Sequence, residues 1–276
     1  MKRQRYVAPA REAVDPAVFA APPLADWSEY DALLRGPHWP ASDALNALRR
    51  DASTPRFAAQ DPALLADGLH YEQRIAGRGV IATRERNWHD LFNALAWLRY
   101  PALKRALNRR QVEEIARMGP RERSRPQCAM THFDEAGVIV RVADPSLLVH
   151  WDAHDWHGLF WRERAAWQDK RIDVAVFGHA LLEHALTPGK LLVGKALVVA
   201  ADHAVRWESI VAALAERIAS GELLRDPLEL RPLPLSGIPG WHPDNGDEAF
   251  HRDAPCYQPL RAGRAYPPPP RMPAPR

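Results

Sequence analysis

The chain has 276 residues, of which 46% are hydrophobic and 26% are charged. That length and composition are typical of a globular protein with a substantial core in one or two domains. Its 37 basic and 34 acidic residues leave a net charge of +3 and a pI of about 9.0, and so small an excess does not by itself imply nucleic-acid binding.

The cysteines and the apolar runs bear on the cellular compartment. Two cysteines, Cys128 and Cys256, are too few for a disulfide framework, so we expect reduced thiols. The basic first residues, MKRQRYVAPAREAVDP, lack the apolar core of a signal peptide. No stretch approaches about 18 apolar residues, the length that a transmembrane helix needs. The sequence therefore predicts a cytoplasmic protein without a membrane segment.

The first half of the chain predicts helices and one hairpin. Helical spacing over 26–36 and from Ser42 onward indicates two short helices. Residues 69–84 consist of two extended runs around a glycine-containing turn, which predicts a hairpin. A helix then covers 87–100, and a second one starts at the following proline and covers 101–118.

The second half predicts another hairpin and a strand–helix–strand unit. The hairpin covers 128–142, and Asp134 to Gly137 supply its turn, with Asp first and Gly last as a type I turn prefers. A buried strand at 172–177, a short helix at 178–186 and a strand at 190–201 follow. Further helices are predicted after Asp144, over 155–168 and over 206–221.

These elements together predict an α+β fold. Its small mixed sheet would be built from hairpins and the late strand–helix–strand unit, with helices surrounding it. The simplest organisation is one domain over 16–262, preceded by a flexible segment at 1–15. From residue 221 the chain is rich in proline, which predicts a long arm over 221–262 that wraps the domain. The tail at 263–276 is predicted to be disordered.

The segment NWHDLFNALAWL carries the first candidate site. Asn87 is the expected N-cap, so Asp90 at the third helical position has an adequate structural role at the helix start. His89, Asn93 and Trp97 recur every four residues, away from the apolar stripe of the helix. Such a face suits a polar ligand pocket or a metal site, and both interpretations stay open.

The segment THFDEAG carries the second candidate site. His132 precedes two adjacent carboxylates, Asp134 and Glu135. Adjacent carboxylates at a strand end can hold a divalent cation or act as a general base. The alternative is that Asp134 only makes the turn and Glu135 is solvated.

The segment FGHALLEHAL carries the third candidate site. His179 and Glu183 are four residues apart and share one face of a short helix. Their H-x-x-x-E-H spacing differs from the H-E-x-x-H pattern of metalloproteases. A histidine at a helix start after a buried strand is typical of sites in α/β proteins. A packed, hydrogen-bonded histidine is the alternative.

The segment WHPDNGDEAFHRD begins at Trp241 and carries many oxygen donors. Its spacing does not match an EF-hand loop, so a polar surface loop is the simplest interpretation. Phosphate loops, dinucleotide-binding glycine motifs, nucleophile elbows and paired C-x-x-C motifs do not occur in the sequence. Their absence argues against P-loop enzymes, Rossmann dehydrogenases, α/β-hydrolases and structural zinc modules.

Four stretches resemble, in order, the blocks of a bacterial family known as domain of unknown function 3025. They are WHDLFNALAWLRYPALKRALNRRQ, THFDEAGVIV, FGHALLEHAL with the following TPGKLLVGKALVV, and RPLPLSGIPGW. The resemblance spans about 88 to 260. It implies no activity, cofactor or substrate, because none is assigned to the family.

Two hypotheses about function stay open at this point. The first is a divalent-metal-dependent hydrolase in which the candidate residues converge on one cleft, covered by the arm at 234–253. Its substrate would be a small molecule or a nucleic acid, and the basic pI favours a phosphate ester or a nucleic acid. The rival is a non-catalytic binding or interaction module, in which the same residues are caps, turns and core hydrogen bonds. The first hypothesis predicts Asp134, Glu135 and His179 as metal ligands, His89 or Asp90 as general base, Asn93 as an orienting residue, and Trp97, His132 and Trp241 as substrate contacts.

Overall fold

The structure is a computed structural model that describes residues 6–119 and 122–272. The described chain divides into two compact units. The first unit consists of residues 6–101 together with His179–Lys190. The second consists of the intervening segment and the chain from Leu191 onward. Sequence analysis treated 16–262 as one domain and did not anticipate that the first unit takes a helix from late in the chain.

Helices make up the larger share of the regular structure. Most are short, and the longest begins at Pro101. None of the described helices is both long and apolar enough to cross a membrane. The helices are α1 (Asp31–Leu34), α2 (Ser42–Ala47), α3 (Pro62–Leu65), α4 (Tyr71–Arg78), α5 (Trp88–Arg99), α6 (Pro101–Met118), α7 (Arg125–Ala136), α8 (Leu148–Asp152), α9 (Arg164–Gln168), α10 (His179–His184), α11 (Trp207–Ala219) and α12 (Glu248–Asp253).

The strands form one small sheet in each unit, which confirms the predicted α+β class. A two-stranded sheet belongs to the first unit, and a four-stranded sheet with the order β4-β3-β5-β6 belongs to the second. The strands are β1 (Arg56–Ala59), β2 (Val80–Thr83), β3 (Gly137–Val142), β4 (Ile172–Val176), β5 (Val193–Ala200) and β6 (Arg231–Pro234).

The first unit is built around β1, β2 and α5. The two strands are parallel, with Phe57 opposite Ile81, so the chain between them must cross over, and it does so through α3 and α4. Both side chains are fully buried. Helix α5 follows β2 after a short loop and buries Phe92 and Leu95 completely. This rigid pairing of sheet and helix fixes the start of α5, where the candidate site begins.

The second unit is built on the four-stranded sheet. Strand β3 lies between β4, which is antiparallel to it, and β5, which is parallel to it; β6 extends the sheet at β5. Every residue of β3 is buried, as expected of a strand covered on both sides, and its one charged residue, Arg141, pairs with Asp173. Helix α7 leads directly into β3, and its Phe133 stacks on Phe177 with ring centroids 5.0 Å apart.

Both predicted hairpins are wrong. Residues 71–78 form α4, which ends at Gly79 in the left-handed conformation that a C-terminal glycine favours. Residues 125–136 form α7, so Asp134 to Gly137 are a helix end rather than a turn. The start of α7 is fixed by a capping box in which Ser124 and Gln127 bond each other's backbone N–H. Strand β3 therefore pairs with distant strands instead of a hairpin neighbour.

Several other predictions are confirmed. Asn87 caps α5 by accepting from the backbone N–H of Asp90, and the following helix begins at Pro101 and ends at Met118. The strand–helix–strand unit is present as β4, α10 and β5. Its two strands are not neighbours, because β3 lies between them.

The chain after residue 221 contributes β6, α12 and several buried polar contacts. The buried Asn245 side chain donates to the carbonyl oxygens of Ser236 and Ile238 and so fixes the loop before it. Residues 263–272 end beside β5, where Ala200 N–H donates to Pro270 O and Met272 N–H donates to Ala200 O. Residues 1–5 and 273–276, parts of the segments predicted to be flexible and disordered, lie outside the described residues.

Candidate metal centre

The first unit brings two of the sequence-predicted sites together. Helix α5 buries its apolar stripe and leaves His89 and Asn93 partly exposed. Helix α10 presents His179 and Glu183, one turn apart on one face, as their spacing predicts. These two helices meet at the imidazole of His89, although 90 residues of chain separate it from His179.

His89 is held through both of its ring nitrogens. Its Nδ1 lies 3.2 Å from Oε2 of Glu183, and its Nε2 lies 3.1 Å from Nε2 of His179. The two rings are nearly perpendicular, with an interplanar angle of 73° and centroids 4.5 Å apart. His179 is buried, with 4% of its surface exposed, while the His89 side chain is 28% exposed. The pair therefore joins a buried group to a group that solvent reaches.

The hydrogen bonds assign the tautomer of neutral His89. A carboxylate accepts only, so the Nδ1 of His89 carries the proton and donates it to Glu183. The Nε2 lone pair of His89 then points toward Nε2 of His179. This carboxylate–imidazole arrangement is the one in which metal-binding histidines are commonly held, the opposite ring nitrogen being the ligand of the ion.

Two further predicted residues of α5 are held by neighbours in the same unit. The carboxylate of Asp90 accepts hydrogen bonds from the backbone and the guanidinium of Arg84, at 2.6–3.1 Å. The hydrogen bond to Asp90 raises the pKa of Arg84. Asn93 donates from Nδ2 to the hydroxyl of Tyr71 at 2.8 Å. Asp90 thus has a structural partner in addition to its place at the helix start.

Trp97 lies one turn beyond Asn93, but its surface is only 1% exposed. Helix α5 is buried on more sides than an amphipathic pattern suggests, because apolar side chains cover it through most of its length. A contact between Trp97 and substrate stays a prediction.

The remaining predicted residues lie in the second unit. Asp134 and Glu135 are on the last turn of α7, and Asp134 accepts from the buried Lys104 ammonium at 2.6 Å. His132 is exposed on the same helix. Trp241 lies after the loop that Asn245 fixes, and the backbone N–H of Trp241 donates to Ile238 O. Their roles as ligands and substrate contacts stay predictions.

Sequence reasoning missed a cleft beside His89 and several residues that line it. The cleft has a volume of about 800 Å³, within the range of small-molecule sites. Tyr6 lines it and bonds Glu183 O and Thr187, although the segment 1–15 was predicted to be flexible. Glu183 also lines it; its i+4 spacing from His179 was recognised in the sequence, but Glu183 was not predicted as a site residue.

The structure thus defines an α+β protein with a carboxylate-supported histidine pair in its first unit. The chain belongs to the family described as Protein of unknown function (DUF3025), whose model matches residues 55–261. This match confirms the resemblance found in the sequence. No curated protein and no solved structure matches the chain significantly.

Proposed function

We propose that this protein is a metal-dependent hydrolase whose ion is held by Nε2 of His89 and Nε2 of His179. The observation that carries the proposal is the 3.1 Å separation of these two nitrogens. Two imidazole ligands at about 2.0–2.1 Å from a tetrahedral zinc ion stand about 3.3 Å apart. The separation of the two nitrogens is therefore close to that of two ligands of one ion, and His179 would bind the ion as the tautomer whose Nε2 carries no proton.

The chemistry of the donors favours a borderline transition-metal ion over magnesium. Imidazole nitrogen suits Zn²⁺, Fe²⁺, Ni²⁺ and Cu²⁺, whereas Mg²⁺ prefers oxygen ligands. Glu183 supports the same conclusion. Its carboxylate on Nδ1 of His89 fixes the orientation of the ring and makes Nε2 a more basic metal ligand. On this proposal His89 is a ligand rather than the general base that the sequence suggested.

A bound divalent ion would supply Lewis acidity and lower the pKa of a bound water, which is the usual basis of metal-assisted hydrolysis. Asp90 supports the start of α5 through Arg84 and takes no part in the chemistry. Asp134 and Glu135 stay the carboxylate ligands that the sequence predicts. A phosphate ester or nucleic acid stays the predicted substrate class, on the basis of the pI of about 9.0.

Calorimetric titration of metal-stripped protein with Zn²⁺ tests the proposal. We expect one ion per chain for the wild type, and at least tenfold weaker binding for His89→Ala and for His179→Ala. His38→Ala is the matched control, because His38 is an exposed histidine of the same unit. Asp134→Asn and Glu135→Gln belong in the same series, since the sequence predicts both residues as ligands. Equal binding by all variants contradicts the proposal.

Hydrolysis of p-nitrophenyl phosphate and bis-p-nitrophenyl phosphate by the zinc-loaded protein tests the catalytic part. We expect turnover by the wild type and its loss in His179→Ala. Zinc binding without hydrolysis of either ester would leave the rival hypothesis, a non-catalytic binding module, as the better account.

A further inference from the structure

The cleft beside His89 has walls of different character. An apolar wall is formed by Tyr6, Pro9 and Trp39, and a basic wall is formed by Arg84 and Arg86 from the loop between β2 and α5. His89 and Glu183 line the same cleft. A molecule in this space would therefore lie beside His89 and against both walls.

The segment that forms the apolar wall is fixed to the first unit by specific hydrogen bonds. The Tyr6 hydroxyl donates to Glu183 O at 3.1 Å, and Trp88 Nε1 donates to Pro9 O at 3.1 Å. The ring of Tyr6 also packs edge-on against His184, with centroids 4.2 Å apart. These contacts make the wall part of the folded unit, so the cleft is preformed and of limited size.

The two arginines of the basic wall are not equivalent. Arg84 donates to the carboxylate of Asp90, so its charge is already balanced. Within the described part of the cleft, Arg86 makes no hydrogen bond or ion pair, and its side chain is exposed. Its backbone has a φ of 52°, a left-handed conformation uncommon for a residue with a side chain. Residues held in that conformation often occur at functional sites.

We infer that the cleft binds a small organic phosphate monoester, with the phosphate on the guanidinium of Arg86 and an apolar or aromatic body against Tyr6 and Trp39. A guanidinium recognises phosphate through two parallel hydrogen bonds, and aromatic rings provide a flat apolar contact. The inference deepens the proposed function, on which it rests, by naming the substrate class of the same site.

A small substrate fits these walls better than a nucleic acid. Nucleic-acid grooves carry several unpaired basic side chains along the path of the backbone. Among the described residues that line this cleft of about 800 Å³, Arg86 is the one arginine without an ion pair. A single phosphate matches this charge, and the volume lies in the range of small-molecule sites.

Binding of phenyl phosphate to metal-free protein, measured by calorimetry, tests the inference apart from metal binding. We expect Arg86→Gln to weaken binding at least tenfold and Arg86→Lys to weaken it less, because lysine keeps the charge but not the two parallel hydrogen bonds. Arg78→Gln is the matched control, since Arg78 is exposed in the same unit and outside the cleft. Thermal denaturation of each variant establishes that it is folded.

The outcomes separate this inference from the proposed function. Suppose that zinc binding requires His89 and His179 but that Arg86→Gln leaves phenyl phosphate binding unchanged. This result overturns the inference and leaves the proposed function standing. Loss of phenyl phosphate binding in Arg86→Gln supports the inference whether or not zinc binds. Tighter, Arg86-dependent binding of a twelve-nucleotide oligothymidylate than of phenyl phosphate would assign the cleft to nucleic acid and overturn the inference.

Discussion

Nε2 of His89 lies 3.1 Å from Nε2 of His179, and the opposite nitrogen of His89 is bonded to Glu183. Both partners of His89 come from one turn of α10, so one short helix determines the position and the tautomer of the ring. The arrangement requires only an i, i+4 pair on one helix and a histidine at the start of another. It is the structural basis of the proposed metal centre.

Glu183→Gln is predicted to weaken zinc binding by about 10- to 100-fold, the usual effect of removing a carboxylate behind a histidine ligand. The glutamine oxygen still accepts from Nδ1 of His89, so the orientation is partly kept while the charge is lost. Calorimetric titration measures the change. Glu85→Gln, an exposed residue of the same unit, is the control. Unchanged affinity in Glu183→Gln would show that the carboxylate has no influence on the site.

Asp90→Ala is predicted to lower the free energy of unfolding by about 1.5–3 kcal/mol, because it removes charge-assisted hydrogen bonds from Arg84. Urea denaturation measures this change. Zinc affinity should stay within about twofold of the wild type, since Asp90 is not a ligand in the proposed centre. A variant with full stability but no hydrolytic activity would instead support the general-base role that the sequence suggested.

The Lys104–Asp134 pair gives a prediction in the second unit. The Lys104 side chain is only 4% exposed and donates to Asp134 at 2.6 Å. Asp134→Ala removes this charge-assisted bond at a buried ammonium. We therefore expect it to lower the free energy of unfolding by about 1.5–3 kcal/mol. Asp134→Asn keeps an acceptor and should be less damaging. Equal stability of Asp134→Ala and wild type in urea would contradict the structural role of the pair.

The burial of His251 leads us to expect that the protein loses stability in mild acid. Burial holds the pKa of His251 below its ordinary value of 6.5, and its Nε2 donates to Asn245 O while Nδ1 accepts from the Tyr257 hydroxyl. The unfolded chain takes up this proton first, near pH 6.5. The free energy of unfolding therefore falls as the pH drops below 6.5, until the folded protein also binds the proton.

Denaturation at pH 7 and pH 5 measures this effect. The wild type should lose more stability between these values than His251→Gln does. His203→Gln is the control, since the His203 side chain is 71% exposed, and its pH dependence should match that of the wild type. A His251→Gln variant with the wild-type pH dependence would show that the proton on His251 is not linked to folding.

Local signals explain which parts of the fold could be predicted from sequence. Asn87 and Pro101 mark helix starts by their side-chain chemistry, and the structure confirms both. Ser124 and Gln127 form a capping pair that also marks a helix start in the sequence. The hairpin was nevertheless predicted for the whole segment, because a β-rich run follows Gly137. The partners of β3 could not be predicted from local patterns, because β3 pairs with strands that are distant in the chain.

The residues of the candidate site divide in the same way, into those that local spacing predicts and those that only long-range packing brings together. The i, i+4 relation of His179 and Glu183 is local and was recognised from spacing. Their meeting with His89 depends on the packing of α5 against α10 across 90 residues of chain, which no local pattern encodes. Tyr6 is 177 residues from Glu183 and lies in a segment of low periodicity, so its place beside the cleft could not be anticipated.

Zinc K-edge X-ray absorption of the zinc-loaded protein tests the central claim most directly. The proposed centre predicts two imidazole nitrogens at about 2.0–2.1 Å from the ion in the wild type and one in His179→Ala. Failure of the wild type to retain zinc, or the same number of imidazole ligands in both proteins, would contradict it.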